Sequence, residues 1–270
     1  MGIIKDYQEF FRSIGLEKGQ HVIVHSSFRS IRRAFPGSKI EEMLEALKKV
    51  ITKEGSIIMP AFTYCYKKIG EDYNVFFFFY TASEVGAVSE VFRKSDDVIR
   101  TSSPTHSFSL WGKVTEDIGP NNAPKSPLGK NSPLDWLNKQ DNSYVLLLGI
   151  GFTTLSFCHY LEVKADVPWS DVSPWDYLSV EKIGVSKDGE QELKDVPGCS
   201  KSFKNFEKYL LNREIIEPFN YQGLSGYFIS IEILYKHGMD YFQEHPDKLL
   251  CPRETCEPCD TRRNKLNIDI

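Results

Sequence analysis

Val22-Ile23-Val24-His25-Ser26-Ser27, Ser38-Lys39-Ile40-Glu41 and Ser56-Ile57-Ile58-Met59 follow one another near the start of the chain. The first is a short apolar run ending in polar residues, which reads as a buried strand opening into a loop. The second carries a capping-box signal. Behind it, Ile40, Met43, Leu44, Leu47, Val50 and Ile51 recur at helical spacing. Gly55 stops that helix, and the third run is a strand broken by Pro60. The loop between strand and helix passes through Arg29, Arg32, Arg33 and Pro36-Gly37. This β–loop–α–β unit predicts an α/β fold.

Working outward, residues 1–20 predict a short amphipathic helix with Tyr7, Phe10, Phe11 and Ile14 on one face, closing near Gly15. Ser83 is read as the cap of a helix reaching Phe92, and Arg100 to Gly112 as loop and strand. A turn-rich loop follows at Ser126 to Asn131, then a short helix from Pro133 to Leu137 and a strand at Val145 to Leu148. Ser179 to Val196 reads as a hairpin and Ser202 to Leu211 as a helix with Phe203, Phe206 and Leu210 inward. From Gly223 to Phe242 both periods are present, and the helical spacing of Ile231, Leu234, Tyr235, Met239 and Phe242 favours a mostly helical segment. Residues 1–260 are read as one domain and 261–270 as a flexible tail.

Net charge is −4 over 270 residues, so no general basic field exists for nucleic acid or an anionic membrane. The start, Met1-Gly2-Ile3-Ile4-Lys5-Asp6, lacks the pattern of a signal peptide, and no apolar run approaches the ~20 residues of a membrane span. A cytoplasmic protein, monomeric or homodimeric, is expected. Without a signal, the six cysteines are not expected to form structural disulfides. Cys251, Cys256 and Cys259, with His245, leave a zinc site open, but Cys-x4-Cys-x2-Cys is not a common ribbon spacing. The preferred reading is free thiols on a loose end, with no metal.

The chemistry points to Gly149-Ile150-Gly151-Phe152-Thr153-Thr154-Leu155-Ser156-Phe157-Cys158-His159-Tyr160-Leu161-Glu162. A buried strand ends at two glycines, and a histidine and a glutamate follow at i and i+3, on one face of a helix. Imidazole accepts a proton near neutral pH and a carboxylate orients it. Cys158 opens a covalent thiol route, but it points away from its helical neighbour and reads better as a small buried side chain. The Ser26–Arg33 loop is an anion-binding candidate or an exposed turn with solvated arginines. Arg100 to Phe108, around Thr105-His106-Ser107, and Ser126 to Pro133 are polar loops able to line a site.

In this order the motifs resemble the aminoglycoside 3-N-acetyltransferase family, also called the antibiotic N-acetyltransferases. The matching pieces are His25 to Ile31, Glu54 to Thr63, Ser83 to Glu90, Arg100 to Gly112, Ser126 to Leu134 and Gly149 to Glu162, with a weaker echo at Cys199 to Phe203 and Asp247 to Leu250. The resemblance implies a single-domain α/β/α sandwich with a mixed central sheet. It also implies acetyl-coenzyme A (acetyl-CoA) as co-substrate and an amine of a sugar-like acceptor. In this scheme His159 is the general base and Glu162 orients it. Ser26, Ser27, Arg29, Ser30 and Arg32 hold the coenzyme, Thr63, His106 and Ser107 line the acetyl region, and Phe152, Thr153 and Tyr64 meet the acceptor.

The departures bear on that acceptor. Family members acting on aminoglycosides usually carry His-Asp where this chain has Phe152-Thr153, Asn-Thr where it has Leu155-Ser156, and glycine at Arg32. Val75-Phe76-Phe77-Phe78-Phe79-Tyr80 adds aromatic residues, read as a buried strand or plug ahead of a stacking wall. One acid fewer and one arginine more lean away from a polycation. The expectation is direct acetyl transfer to a less cationic amino sugar, nucleotide-linked or a glycan precursor. The alternative is an aminoglycoside 3-N-acetyltransferase conferring antibiotic resistance. From another class comes a metal-dependent hydrolase using His25, His106, His159 and Glu162, and a non-catalytic coenzyme-binding protein also stays open.

Overall fold

The computed structural model describes residues 2–267. The chain opens with α1 (Ile3–Ser13), β1 (His21–Ser26), α2 (Phe28–Ala34), α3 (Ile40–Ile51), β2 (Ser56–Pro60) and β3 (Tyr66–Lys68). It continues with α4 (Ala87–Arg93), β4 (Ile99–Arg100), β5 (Phe108–Gly112), α5 (Val114–Asp117), α6 (Pro133–Leu137), β6 (Ser143–Leu148) and α7 (Ser156–Lys164). The last part holds β7 (Val180–Ser186), β8 (Gly189–Glu192), α8 (Phe203–Asn212), β9 (Phe219–Tyr221), β10 (Leu224–Ser230), α9 (Ile231–Glu244) and α10 (Glu257–Leu266).

Seven strands form the central sheet in the order β4-β5-β2-β1-β6-β10-β9. The β1 strand is parallel to β2 and β6, and the other pairings are antiparallel. The mixed sheet of the α/β/α expectation is therefore observed. Strand alternation sorts the core into two layers. Val22 and Val24 of β1 and Leu146 and Leu148 of β6 face the layer holding Tyr7, Phe10 and Phe11 of α1 and Met43 and Leu47 of α3. Ile23, Val145 and Leu147 face the other layer, with Phe157 and Leu161 of α7, Phe206 of α8 and Phe242 of α9. Each fully buried side chain of this size contributes roughly 1.5–3 kcal/mol of apolar transfer. A small second sheet, β3-β7-β8, stands beside the main one.

Several segments differ from the sequence reading. Residues 28–34, expected as loop, are helical because Ser27 caps the segment, its Oγ accepting from Ser30 N, and Ile31 and Ala34 turn inward. The box before α3 is displaced by one residue. Glu42, not Glu41, accepts from the Lys39 amide at 2.7 Å, while Ser38 bonds Tyr7 Oη at 2.7 Å. The next helix starts at Ala87 rather than Ser83. The stretch read as mostly helical is half strand. Residues 224–230 pair with β6, and Ser230 turns the chain directly into α9 by accepting from Glu232 N. Of the aromatic run only Phe76 goes fully inside, under the Arg100 guanidinium, whereas Phe79 and Tyr80 stay exposed. The end expected to be loose over 261–270 is ordered to Leu266, with Arg262 and Arg263 buried. Arg262 donates to the carbonyls of Val172 and Val196, 90 and 66 residues away in the chain. Residues 268–270 lie outside the described residues. No helix among the described residues is long and apolar enough to cross a membrane.

Candidate active site

The chain leaves β1 for β2 on one side and later places β6 on the other side of β1. Such a change of direction opens a crevice at the carboxyl ends of the parallel strands. Here those ends deliver Ser26 from β1, Pro60 from β2, Phe62 just past it and Ile150 beyond β6 to one cavity of about 320 Å³. His159 stands in its wall. A second cavity, about 410 Å³, is lined by Tyr66, His106, Trp175 and Val180. The two share Phe62, Tyr64, His159 and Ser200. His159 therefore sits where two compartments meet.

The turn that presents His159 explains both glycines of the motif. Gly149 has φ +73°, and a Cβ there would lie 2.3 Å from Ser30 Cβ. A Cβ at Gly151 would lie 2.9 Å from Glu207 Oε2. Glu207 pins this turn by accepting from Phe152 N at 3.1 Å and from Tyr227 Oη at 2.8 Å. Helix α7 follows, buried on most sides through Phe157, Cys158, Tyr160, Leu161 and Glu162. A helix so enclosed holds its side chains in fixed directions.

His159 Nδ1 and Glu162 Oε2 are 2.6 Å apart. The carboxylate can only accept, so Nδ1 donates, and in a neutral imidazole Nε2 is then the nitrogen with the lone pair. Glu162 is itself held: its Oε1 accepts from Trp169 Nε1 at 3.4 Å, and Arg262 Nη1 lies 3.9 Å away. Phe203 packs its ring against the imidazole at 4.8 Å. The result is a fixed, half-enclosed imidazole with a buried acceptor behind it.

Two more histidines line the cavities that share His159. His25 Nε2 and His106 Nδ1 are buried without a hydrogen-bond partner among the described residues. Desolvation lowers both to about 3, with the neighbouring His159 adding to the effect at His106, so both rings are neutral at pH 7. Tyr64 adopts φ +47°, an uncommon conformation for a residue with a side chain, and its ring is shared by both cavities. Burial first, then the Glu84 carboxylate, push its phenol up to about 12. Cys158 is fully buried, and desolvation with Glu162 and Glu207 pushes its thiol well up. It offers no thiolate for a covalent route.

A model described as aminoglycoside 3-N-acetyltransferase matches residues 23–243. The chain belongs to the aminoglycoside 3-N-acetyltransferase family. Among its relatives, the prophage-derived aminoglycoside N(3')-acetyltransferase-like protein YokD of Bacillus subtilis (strain 168) is 31% identical over 182 residues. That match covers 61% of this chain and 65% of YokD. Aminoglycoside N(3)-acetyltransferase IV of a Salmonella species is 30% identical over 159 residues, 58% of this chain and 57% of the relative. The matches thus span under two thirds of these curated relatives. The crystal structure of aminoglycoside acetyltransferase AAC(3)-IVa without ligand has a TM-score of 0.80 at 24% identity, covering 97% of this chain and 96% of that one. It shows the same fold.

Within this acetyltransferase fold, the residues assigned by resemblance separate into two groups. His159 and Glu162 meet, and Ser26, Thr153, Tyr64 and His106 line the cavities at His159. The others do not line them. Phe152 is fully buried in the core against Phe206 and Tyr227. Thr63 Oγ1 donates to the Pro104 carbonyl at 2.6 Å, and Ser107 Oγ donates to the Ala61 carbonyl at 2.7 Å while accepting from Arg100 Nε. Both hydroxyls are spent on backbone and guanidinium, so they hold loops together. Ser27 caps α2, and Ser30 packs on Gly149. Arg29 and Arg32 are exposed on α2. The hydrolase reading loses its basis as well. Among the described residues, the one group of three or more metal-ligand side chains is made of cysteines, and His25, His106, His159 and Glu162 do not converge.

Sequence reasoning missed Ser200, Trp175 and Glu207. Ser200 lines both cavities and donates to the Thr153 carbonyl at 2.6 Å. Its only sequence signal is the Cys199-Ser200-Lys201-Ser202-Phe203 echo.

Proposed function

We propose that the protein is an acetyl-CoA-dependent N-acetyltransferase whose acceptor is an aminoglycoside amine. The observation that carries this reading is the 2.6 Å His159–Glu162 pair at the junction of two cavities. The family's co-substrate supplies the acyl group as a thioester. His159 Nε2 takes the proton from the attacking amine as nitrogen bonds the acyl carbon. The bond to sulfur then breaks, and His159 returns that proton to the leaving thiolate. Glu162 stabilises the imidazolium in between. The buried, unpartnered nitrogens of His25 and His106 offer neutral hydrogen-bonding groups on either side of the base. Ser26 and the amides of Phe28 and Arg29 at the start of α2 suit the coenzyme's phosphates.

The family's named relatives favour an aminoglycoside over the less cationic amino sugar that the sequence departures led us to expect. The structure also weakens the reasons for that expectation. Arg32 and the exposed aromatics Phe79 and Tyr80 do not line either cavity at His159. Two carboxylates stand behind the cavity walls rather than in them: Glu84 acts on Tyr64, and Glu207 lies under Gly151. The six cysteines, none of them in a disulfide, fit a reducing compartment, the cytoplasm. The test is thiol release from acetyl-CoA with a panel of aminoglycosides and nucleotide-linked amino sugars. The highest kcat/KM should fall on an aminoglycoside. A higher value for a nucleotide-linked amino sugar would return the acceptor to the other reading.

A further inference from the structure

Four sulfurs from distant parts of the chain meet beneath the active site. Cys199 precedes α8, Cys251 and Cys256 lie between α9 and α10, and Cys259 is in the first turn of α10. Their Sγ atoms all lie within 4.8 Å of one another. We infer that Cys199, Cys251, Cys256 and Cys259 are the ligands of one structural zinc ion.

The geometry favours one ion over disulfides. Cys199 Sγ and Cys251 Sγ are 3.7 Å apart. A tetrahedral ion with Zn–S of about 2.3 Å separates its sulfurs by about 3.8 Å. A disulfide needs about 2.05 Å, and four mutually close sulfurs are a cluster rather than two separate pairs. Three of the four cysteines are buried and Cys199 is half-buried, which describes a closed structural site rather than an open catalytic one. Backbone amides already point at two of the sulfurs. Lys201 N donates to Cys199 Sγ and Cys251 N to Cys259 Sγ, each at 3.4 Å. Such bonds orient thiolate ligands and spread their charge. Four thiolates and one zinc leave two negative charges, and Arg262 and Arg263, both buried, follow Cys259 on the same helix.

The local fold also calls for such an anchor. Helix α10 reads Glu257-Pro258-Cys259-Asp260-Thr261-Arg262-Arg263-Asn264-Lys265-Leu266 and has no apolar stripe. A helix polar all round is not held by hydrophobic burial, and ten residues are marginal alone. A metal clasp supplies what the sequence of α10 does not. Its consequence reaches the site. The clasp fixes Arg262, whose Nη1 lies 3.9 Å from Glu162 Oε1. The same Nη1 would stand 2.5 Å from a Cβ at Gly198, the neighbour of Cys199 and part of the second cavity's wall.

The experiment is elemental analysis of the purified full chain after gel filtration in metal-free buffer, together with a thiol count in denaturant plus chelator. About one zinc per chain and six titratable thiols are expected. Cys256→Ser and Cys259→Ser should each lower zinc retention by about tenfold or more. Exchange of the native metal for Co²⁺ should give the visible absorption of a tetrahedral thiolate complex, so the inference does not depend on the variants folding. Zinc below roughly a tenth of an equivalent in a folded chain with six thiols, two missing thiols from a Cys199–Cys251 disulfide, or one iron in place of zinc would each overturn it. These readings are independent of which acceptor the enzyme uses.

Discussion

The His159–Glu162 pair and the four-cysteine cluster are neighbours in space and opposites in construction. The pair is three residues apart on one helix, so its geometry follows from helical periodicity alone. The cluster draws Cys199 across 52 residues to Cys251, and only the packing of α8, α9 and α10 brings them together. Arg262 joins the two regions, extending from the cysteine-bearing helix toward the carboxylate that holds His159. The comparison teaches that the proposed catalytic pair is built locally and braced from far away.

The sharpest way to break this comparison is to remove the proposed base. His159→Ala should lower turnover by about 10²–10⁴ while leaving the coenzyme A dissociation constant nearly unchanged by calorimetry. Near-normal turnover would move the base elsewhere, with His106 next in line. Glu162→Gln tests the link between the regions. It leaves Arg262 without its buried counter-charge, and the two carbonyl partners of Arg262 hold the cost to about 3 kcal/mol in denaturant unfolding. A loss under about 0.5 kcal/mol, the range of an ordinary surface change, would show that the two regions are not coupled.

Acid probes the walls. His25 and His106 are neutral in the fold at about 3 and ordinary, 6.5, when unfolded. Between those values the unfolded chain binds more protons, so stability is full above about pH 6.5 and falls as pH drops towards 3. Each histidine costs about 1.4 kcal/mol per pH unit in that window. Thermal melts from pH 7 to 4 should show it, and His106→Gln should flatten the slope. An unchanged slope would mean that His106 is not held neutral. The smallest effect belongs to Cys158→Ala. Turnover should stay within about twofold, with about 1 kcal/mol of stability lost to the small cavity. Loss of turnover in that variant would revive the acetyl-thiol route.

What was legible follows the same division. The β1–α3–β2 unit, the hairpin at 179–196 and the His159–Glu162 face all rest on patterns within a few turns or strands. The junction of β10 and α9 was not legible, because Ile229 and Ile231 fit either period and only Ser230 separates them. Helix α10 was hidden because it has no apolar stripe, and its partners lie far away in sequence. At the site, the resemblance placed Thr63 and Ser107 at the acetyl region, and their hydroxyls are instead committed to backbone carbonyls. Phe152 was misassigned because a motif position next to a cavity can still point into the core.

The central claim is that His159 and Glu162 act as one unit. A double-mutant cycle in kcat with an aminoglycoside and acetyl-CoA tests it most directly, comparing His159→Ala, Glu162→Gln and the double variant. The account predicts that the double variant is no slower than His159→Ala, because the carboxylate acts only through the imidazole. Effects that multiply, with Glu162→Gln slowing the enzyme equally whether or not His159 is present, would contradict it.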